Sequence, residues 1–263
     1  MPDTPETMQR RARFAPADRF EPECEIGLIA LATDHAIEDE VRRFLPADGR
    51  TPLYTTRVPL PDSFDLESLR AMQKYLAEAA TRLMPGSKLD VIAYGCTSAT
   101  AAIGEENVFA EIRKTRPGIA CTTPMTAADA ALRRLGANRI VLVTPYEEPV
   151  HDAVVRAIEA RGFTVLDRSF FGIGSDLGIT QVPMSRIADA VRARVSDAMR
   201  ARKRDGADAI FIACTALRVA GMIGPLEREL GLPIIASNHA VAWHALDLCG
   251  RKHRDGEGRL FGM

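Results

Sequence analysis

Two cysteines carry the first chemical signal in this chain. Cys96 ends the phrase Asp90-Val91-Ile92-Ala93-Tyr94-Gly95-Cys96-Thr97-Ser98. Cys214 ends Asp208-Ala209-Ile210-Phe211-Ile212-Ala213-Cys214-Thr215-Ala216. The two lie 118 residues apart in a chain of 263. Each phrase reads as a buried strand running into a Cys-Thr turn. In open parallel sheets ligands collect beyond the carboxyl ends of the strands. Two thiols at two such ends can remove a proton from one face of a carbon and return one to the other. Backbone N–H groups in the turns, and a helix start behind them, are expected to lower the thiol pKa from its free value of about 8.5. Those N–H groups and the hydroxyls of Thr97, Ser98 and Thr215, with Ala216, would hold a carboxylate and stabilise enolate-like charge.

The elements that position these thiols follow from hydrophobic periodicity. Strands are expected at 25–31, 53–58, 89–94, 118–121, 139–143, 163–170, 209–213 and 233–236. Helices fall between them, at 62–83, 107–114, 127–135, 149–160, 184–202, 224–230 and 238–249. Such alternation predicts an α/β fold of parallel sheets flanked by helices. The series also restarts. Ile26–Ala30 matches Arg139–Val143 at an offset of 113, and Gly118–Cys121 matches Pro233–Ala236. The reading is two pseudo-symmetric lobes, each a roughly four-stranded parallel sheet, with the site between them. The expected divisions are a polar N-terminal arm over 1–22, a first lobe over 23–123 plus 237–263, and a second lobe over 124–236. The closing helix is expected to return to the first lobe.

Bulk composition excludes several classes. Net charge is −1, from 34 basic and 35 acidic residues, so no basic field favours nucleic acid. The densest basic run, Arg200-Ala201-Arg202-Lys203-Arg204, reads as a solvated helix end. No apolar stretch reaches the ~18 residues of a membrane span, and Met1–Pro22 lacks a signal-peptide centre. A cytoplasmic protein is expected. Five cysteines without a CxxC disfavour a disulfide framework or a zinc site, so reduced thiols are expected. Cys24, Cys121 and Cys249 lack the strand-Cys-Thr context and read as structural. His35 and Glu38 have helical spacing but no third ligand for a metal. Gly172-Ile173-Gly174 is too short for a dinucleotide fingerprint.

The phrases Tyr94-Gly95-Cys96-Thr97-Ser98 and Ala213-Cys214-Thr215-Ala216-Leu217-Arg218 resemble the paired motifs of the aspartate/glutamate racemase superfamily. The similar branch is that of maleate cis–trans isomerase and arylmalonate decarboxylase. Thr144-Pro145-Tyr146 resembles that branch's substrate-binding tyrosine turn. Leu28–His35 and Ser237–His244 resemble the EutA-type ectoine-utilisation proteins. The resemblance implies a site between two lobes, a small-molecule carboxylate substrate, and no metal, pyridoxal phosphate, nucleotide or other cofactor. It implies Cys96 as base or nucleophile and Cys214 as the opposing acid, the roles exchanging in a racemase. Decarboxylases of the branch keep only the second-half cysteine, so possession of both favours isomerisation or racemisation.

One departure bears on substrate. Where maleate isomerases resemble Ser-Ser-Asn, this chain has Ala32-Thr33-Asp34. A carboxylate at Asp34 would repel a dicarboxylate, and Asp176 adds a second acid from the other lobe. A substrate with a cationic or N–H-rich group, such as an amino acid or an ectoine-derived cyclic amidine, is therefore expected. The alternative for Asp34 is capping of a helix that starts near Ala36. Tyr146 is expected to touch the ligand, and His239, after the last strand, is a further binding candidate. Arg218 reads as a structural ion pair or a carboxylate ligand. A homo-oligomer, dimer or tetramer, is expected. The rival classes are a non-catalytic metabolite-binding protein and a thiol redox protein; the latter would need Cys96 and Cys214 with Cα atoms within ~7 Å.

Overall fold

The computed structural model describes residues 20–60, 64–200 and 206–263, without the side chains of 198–200. Most of the expected arm, and most of the basic run after Arg200, lie outside the described residues.

Two four-stranded parallel sheets form the frame. The first contains β1 (Ile26–Leu31), β2 (Leu53–Val58), β3 (Val91–Tyr94) and β4 (Ala120–Thr122), in the order β2-β1-β3-β4. The second contains β5 (Arg139–Thr144), β6 (Thr164–Phe170), β7 (Ala209–Ile212) and β8 (Ile234–Ala236), in the order β6-β5-β7-β8. The orders coincide position by position, so the sequence repeat is a repeat of topology. The central strands are buried along their length, as parallel strands covered on both faces must be.

The repeated aspartate at the head of each phrase has the same task in both lobes. Asp90 accepts from the backbone N–H of Glu25 at 2.8 Å. Asp208 accepts from Asn138 and Arg139 N–H at 3.0 and 2.8 Å. Each thus ties the start of one central strand to the start of its neighbour. These ties correct the expected offset for β1 and β5. Ile26 pairs with Val91, and Ile140 with Ala209, so Ile26 corresponds to Ile140 at 114 rather than 113. A one-residue slip exchanges the two faces of a strand. In a strand buried on both faces, apolar pattern does not reveal it.

The helices are α1 (Ile37–Phe44), α2 (Leu66–Ala71), α3 (Leu76–Arg82), α4 (Thr97–Ile103), α5 (Glu105–Arg113), α6 (Pro124–Arg134), α7 (Glu148–Glu159), α8 (Asp176–Thr180), α9 (Met184–Arg200), α10 (Ile223–Leu230), α11 (Ser237–Leu248) and α12 (Gly258–Phe261). The helix expected over 62–83 is broken into α2 and α3 by a 3₁₀ turn at Met72–Tyr75. That turn still buries Leu69, Met72 and Leu76 together, so the apolar spacing survives the change of pitch. The closing helix α11 packs against α1, β3 and β4 of the first sheet, and against α6 and β8. Those contacts are shared between the lobes, and on the tie of Cys249, just past α11, to Cys24 at the entry to β1 we propose the boundaries 23–123 plus 237–263 and 124–236.

One cysteine expectation is overturned. Cys24 and Cys249 form a disulfide with Cα atoms 5.7 Å apart, joining the entry to β1 to the end of α11 across 225 residues. Sequence separation hid this pair: they meet only because α11 returns to the first sheet. Among the described residues no helix is long and apolar enough to cross a membrane.

Candidate active site between the lobes

Cys96 and Cys214 stand just past the ends of β3 and β7, the equivalent third strands of the two sheets, and both are free and buried. The main chain before each is anchored alike. Gly95 N–H donates to Ile29 C=O at 2.8 Å, and Ala213 N–H to Val143 C=O at 2.9 Å. Gly95 is closely packed: a Cβ there would lie 2.2 Å from Ile37 Cδ1, so the end of the Ile37 side chain would have to move.

The turns after the thiols differ. Cys96 is the N-cap of α4, its Sγ accepting from Ala99 N–H at 3.4 Å and lying 3.5 Å from Ser98 Oγ. No helix follows Cys214. Its Sγ accepts from Ala216 N–H at 3.4 Å, and the chain then runs irregularly to α10. The N–H groups of Val219 and Ala220, which a helix would have used, donate instead to Glu40 Oε2 of α1 at 2.8 and 3.0 Å.

Tyr146, fully buried just past the end of β5, is close enough to both thiols to feel their charge. Burial pushes its phenol well above the ordinary range; charge on Cys214 or Cys96 and a hydrogen bond with Cys214 push the same way, while a hydrogen bond with Thr97 opposes. Phe64 stacks on its ring at a centroid distance of 5.9 Å. Beyond Phe64 a pocket of about 440 Å³ opens between the lobes, lined by Thr33, His35, Leu60 and Phe64 from one side and Gly174–Leu177 from the other. Neither thiol is among the described residues that line this pocket or the larger depressions beside Trp243 and beside Val182; the pocket is set apart by Asp176 and by Phe64, which stacks on Tyr146.

The two expected acids meet here. Thr33 Oγ1 donates to Asp176 Oδ2 at 2.5 Å, a bond from lobe to lobe. Burial raises the Asp176 carboxyl to about 6; Thr33 opposes this, and the neighbouring Asp34 adds to it. Asp34 is also the cap foreseen as its alternative role, with Oδ1 accepting from Ala36 and Ile37 N–H at 2.8 and 2.9 Å. Its charge nonetheless reaches both thiols.

Both thiols are harder to ionise than the sequence suggested. Burial pushes Cys96 up to about 12, with Ser98 and Ala99 opposing and Asp176 and Asp34 adding. Burial also pushes Cys214 well up, Tyr146 and Ala216 opposing and the same two acids adding. The expected lowering by turn N–H groups is present but outweighed. Desolvation of a thiolate costs more than two weak N–H···S contacts return, and Cys214 has no helix behind it.

Several candidates are engaged differently than expected. The Thr97 hydroxyl meets Ser237 Oγ at 2.8 Å, and the Thr215 hydroxyl donates to Gly95 C=O at 3.3 Å. His239 is not brought to the cleft. Its ring packs between Phe44 and Phe261, its Nε2 meets Glu257 C=O at 2.8 Å, and burial drives its pKa to about 4. The strand-end position pointed the right way, but helix α11 turns its third residue into the core. Arg218 donates to His35 C=O at 2.9 Å and lies 3.8 Å from Asp39, an ion-pair role. Glu38 is taken by Arg57, and no cluster that could hold a metal occurs among the described residues. Sequence reasoning missed Thr33, Glu40, Phe64, Ser237 and Asn238. For Ser237 and Asn238 a signal existed, since they directly follow a strand at the ligand edge.

The sequence profile of arylmalonate decarboxylase matches residues 70–261. The chain belongs to the arylmalonate decarboxylase family. Among its relatives, the arylmalonate decarboxylase of Bordetella bronchiseptica is 31% identical over 147 residues, 55% of this chain and 58% of that protein. The maleate isomerase of Nocardia farcinica is 25% identical over 231 residues, 84% of this chain and 88% of that one. A variant of the N. farcinica enzyme, solved with a covalently bound succinylcysteine intermediate, superposes with a TM-score of 0.80 at 23% identity, covering 90% of this chain and 98% of that chain. A liganded double variant of arylmalonate decarboxylase gives 0.76 at 26% identity, covering 90% and 98%. Family members thus share this two-sheet frame.

Proposed function

We propose that this family member is an isomerase working through Cys96 and Cys214 on a small carboxylate that also carries a cationic nitrogen. The observation that carries the reading is a pair of free, buried thiols at the ends of topologically equivalent strands, their turns joined by the Thr215–Gly95 hydrogen bond. One thiolate takes the proton from the substrate carbon, and the opposing thiol delivers one to the other face. The N–H groups behind each sulfur remain near the carboxylate as charge builds on it. No cofactor is needed for this exchange.

The buried acids support the cationic group. Burial keeps both thiols protonated, the charges of Asp176 and Asp34 add to it, and the same charges repel a second anion. An ammonium or amidinium placed against the acids offsets their charge and adds a positive field that favours a thiolate against the burial. The motif resemblance to ectoine-utilisation proteins fits the same reading, since an ectoine-derived amino acid or cyclic amidine has that chemistry. The second reading is maleate-type cis–trans isomerisation, with Cys96 as nucleophile; it is favoured by the maleate isomerases among the relatives.

The test is proton exchange in D₂O. Wild type, Cys96→Ser and Cys214→Ser are incubated with small amino acids, cyclic amidines and maleate, and deuteration, optical rotation and fumarate are followed. Racemisation lost in both variants, with one-sided exchange surviving in one of them, is the expected result. Turnover of maleate alone selects the second reading. Equal activity in all three proteins removes the two-thiol mechanism altogether.

A further inference from the structure

Ser237 and Asn238 open α11, are fully buried, and are neighbours in sequence. Each reaches a different thiol turn. Ser237 Oγ meets the Thr97 hydroxyl at 2.8 Å, one residue after Cys96. Asn238 Nδ2 donates to Thr215 C=O at 2.7 Å, one residue after Cys214. The Thr215 hydroxyl then donates to Gly95 C=O at 3.3 Å, one residue before Cys96. The bonds close on themselves: Gly95-Cys96-Thr97 to Ser237, through the peptide to Asn238, to Thr215, and back to Gly95. Cys96 lies within this ring and Cys214 is bonded directly to it.

The chemistry of each link is constrained. A carbonyl can only accept, so the Thr215 contact fixes the Asn238 amide with Nδ2 inward. Its Oδ1 is left buried without a partner among the described residues. A buried unsatisfied acceptor ordinarily costs about 1–3 kcal/mol. Its retention beside the thiols is the kind of local expense found where geometry serves function. The ring also crosses the lobes twice, once through Thr215–Gly95 and once through Asn238–Thr215. Hydrophobic packing alone does not fix lateral position so closely, because it has no direction.

We propose that Ser237 and Asn238 are positioning residues that set the separation and facing of the two thiols, through the hydrogen-bonded ring they complete with Thr97, Thr215 and Gly95. The inference rests on the reading that both thiols act on one substrate. A reaction shared between two sulfurs depends on their relative placement, and a misplacement of about 1 Å can cost ~10²-fold in rate. A reaction of either sulfur alone does not share that dependence.

The test compares wild type with Ser237→Ala, Asn238→Ala and Thr215→Val. Thr215→Val is near-isosteric and removes only the third link, so it remains informative if an alanine variant does not fold. Thr215→Ser keeps the hydroxyl and is the rescue. The first arm needs no substrate. Diamide, reduced to its hydrazine as two thiols become a disulfide, is added, and Cys96–Cys214 cross-linking is followed by peptide mapping. The ring holds each sulfur to its own turn, so ring-broken variants should cross-link at least fivefold faster than wild type and Thr215→Ser. Alkylation of each thiol singly by iodoacetamide should stay within twofold. In the second arm, turnover of whichever compound wild type converts should fall about 10²-fold in kcat, with KM within threefold, and recover in Thr215→Ser. Cross-linking within twofold of wild type in every folded variant overturns the proposal. If wild type turns over none of the compounds, the two-thiol reaction fails, while cross-linking still decides the ring.

Discussion

Asp176→Asn tests the electrostatics of the cleft through stability. The Asp176 carboxyl stands at about 6 in the folded protein against an ordinary aspartate value of 3.8, chiefly because it is buried. The folded state therefore binds the proton more tightly than the unfolded one. Its favourable contribution is complete below about pH 3.8 and is lost as pH rises through about 6. The displacement is worth about 3 kcal/mol at 1.36 kcal/mol per pKa unit, present as a deficit at neutral pH. Asparagine carries no charge at any of these pH values, and its Oδ1 can still accept from Thr33. The variant should thus match wild type near pH 4 and exceed it by up to about 3 kcal/mol at pH 7.5. For a chain of this size that is a Tm difference of about 5–10 °C. Urea or thermal unfolding at half-unit steps from pH 4 to 8 measures it. KM for the cationic substrate should rise in the same variant, because the acid that faces the cation is gone. A stability difference that is flat with pH, or that favours wild type at pH 7.5, would refute the assignment of Asp176 as a desolvated carboxyl.

Three further outcomes follow from single contacts. With its pKa near 12, Cys96 should be alkylated by iodoacetamide at a rate climbing about tenfold per pH unit from 7 to 10; a plateau near pH 8.5 would show an ordinary thiol. Gly95→Ala forces a methyl against Ile37 Cδ1, and should lower stability by about 1–3 kcal/mol in urea unfolding; an unchanged midpoint would show that Ile37 yields freely. Glu40→Ala strips the Val219 and Ala220 N–H groups of their acceptor beside Cys214. It should cost about 2–4 kcal/mol, and amide exchange of those two N–H groups should rise before any other in the second lobe; protected amides would contradict the role given to Glu40.

Much of the frame was readable because parallel strands buried on both faces are short, apolar and bounded by turns. β2 falls on the expected residues, and β3 and β7 carry the repeated phrase to the same edge of each sheet. The offset between β1 and β5 was not readable, because apolar residues on both faces leave no alternation to count. The short helices α8 and α12 were missed for a related reason: four or five residues do not complete a period. Cys24 and Cys249 read as structural but reduced, because nothing local marks a pair separated by 225 residues.

The duplicated frame, the two strand-end thiols, and the placing of Asp34 and Asp176 near the mouth are written in local pattern, because strand periodicity and position relative to a strand's end are local properties. How those groups behave depends on what the fold packs around them. Burial between the lobes turned two expected low-pKa thiols into reluctant ones, since desolvation depends on everything that covers a group. The hydroxyls of Thr97 and Thr215 were drawn into bonds with Ser237 and Gly95, contacts between residues 140 and 120 positions apart. His239 turned into the aromatic core while its neighbours Ser237 and Asn238 turned toward the thiols. Which way successive residues of one helix face is set by what packs around it, and no local pattern in α11 records that choice.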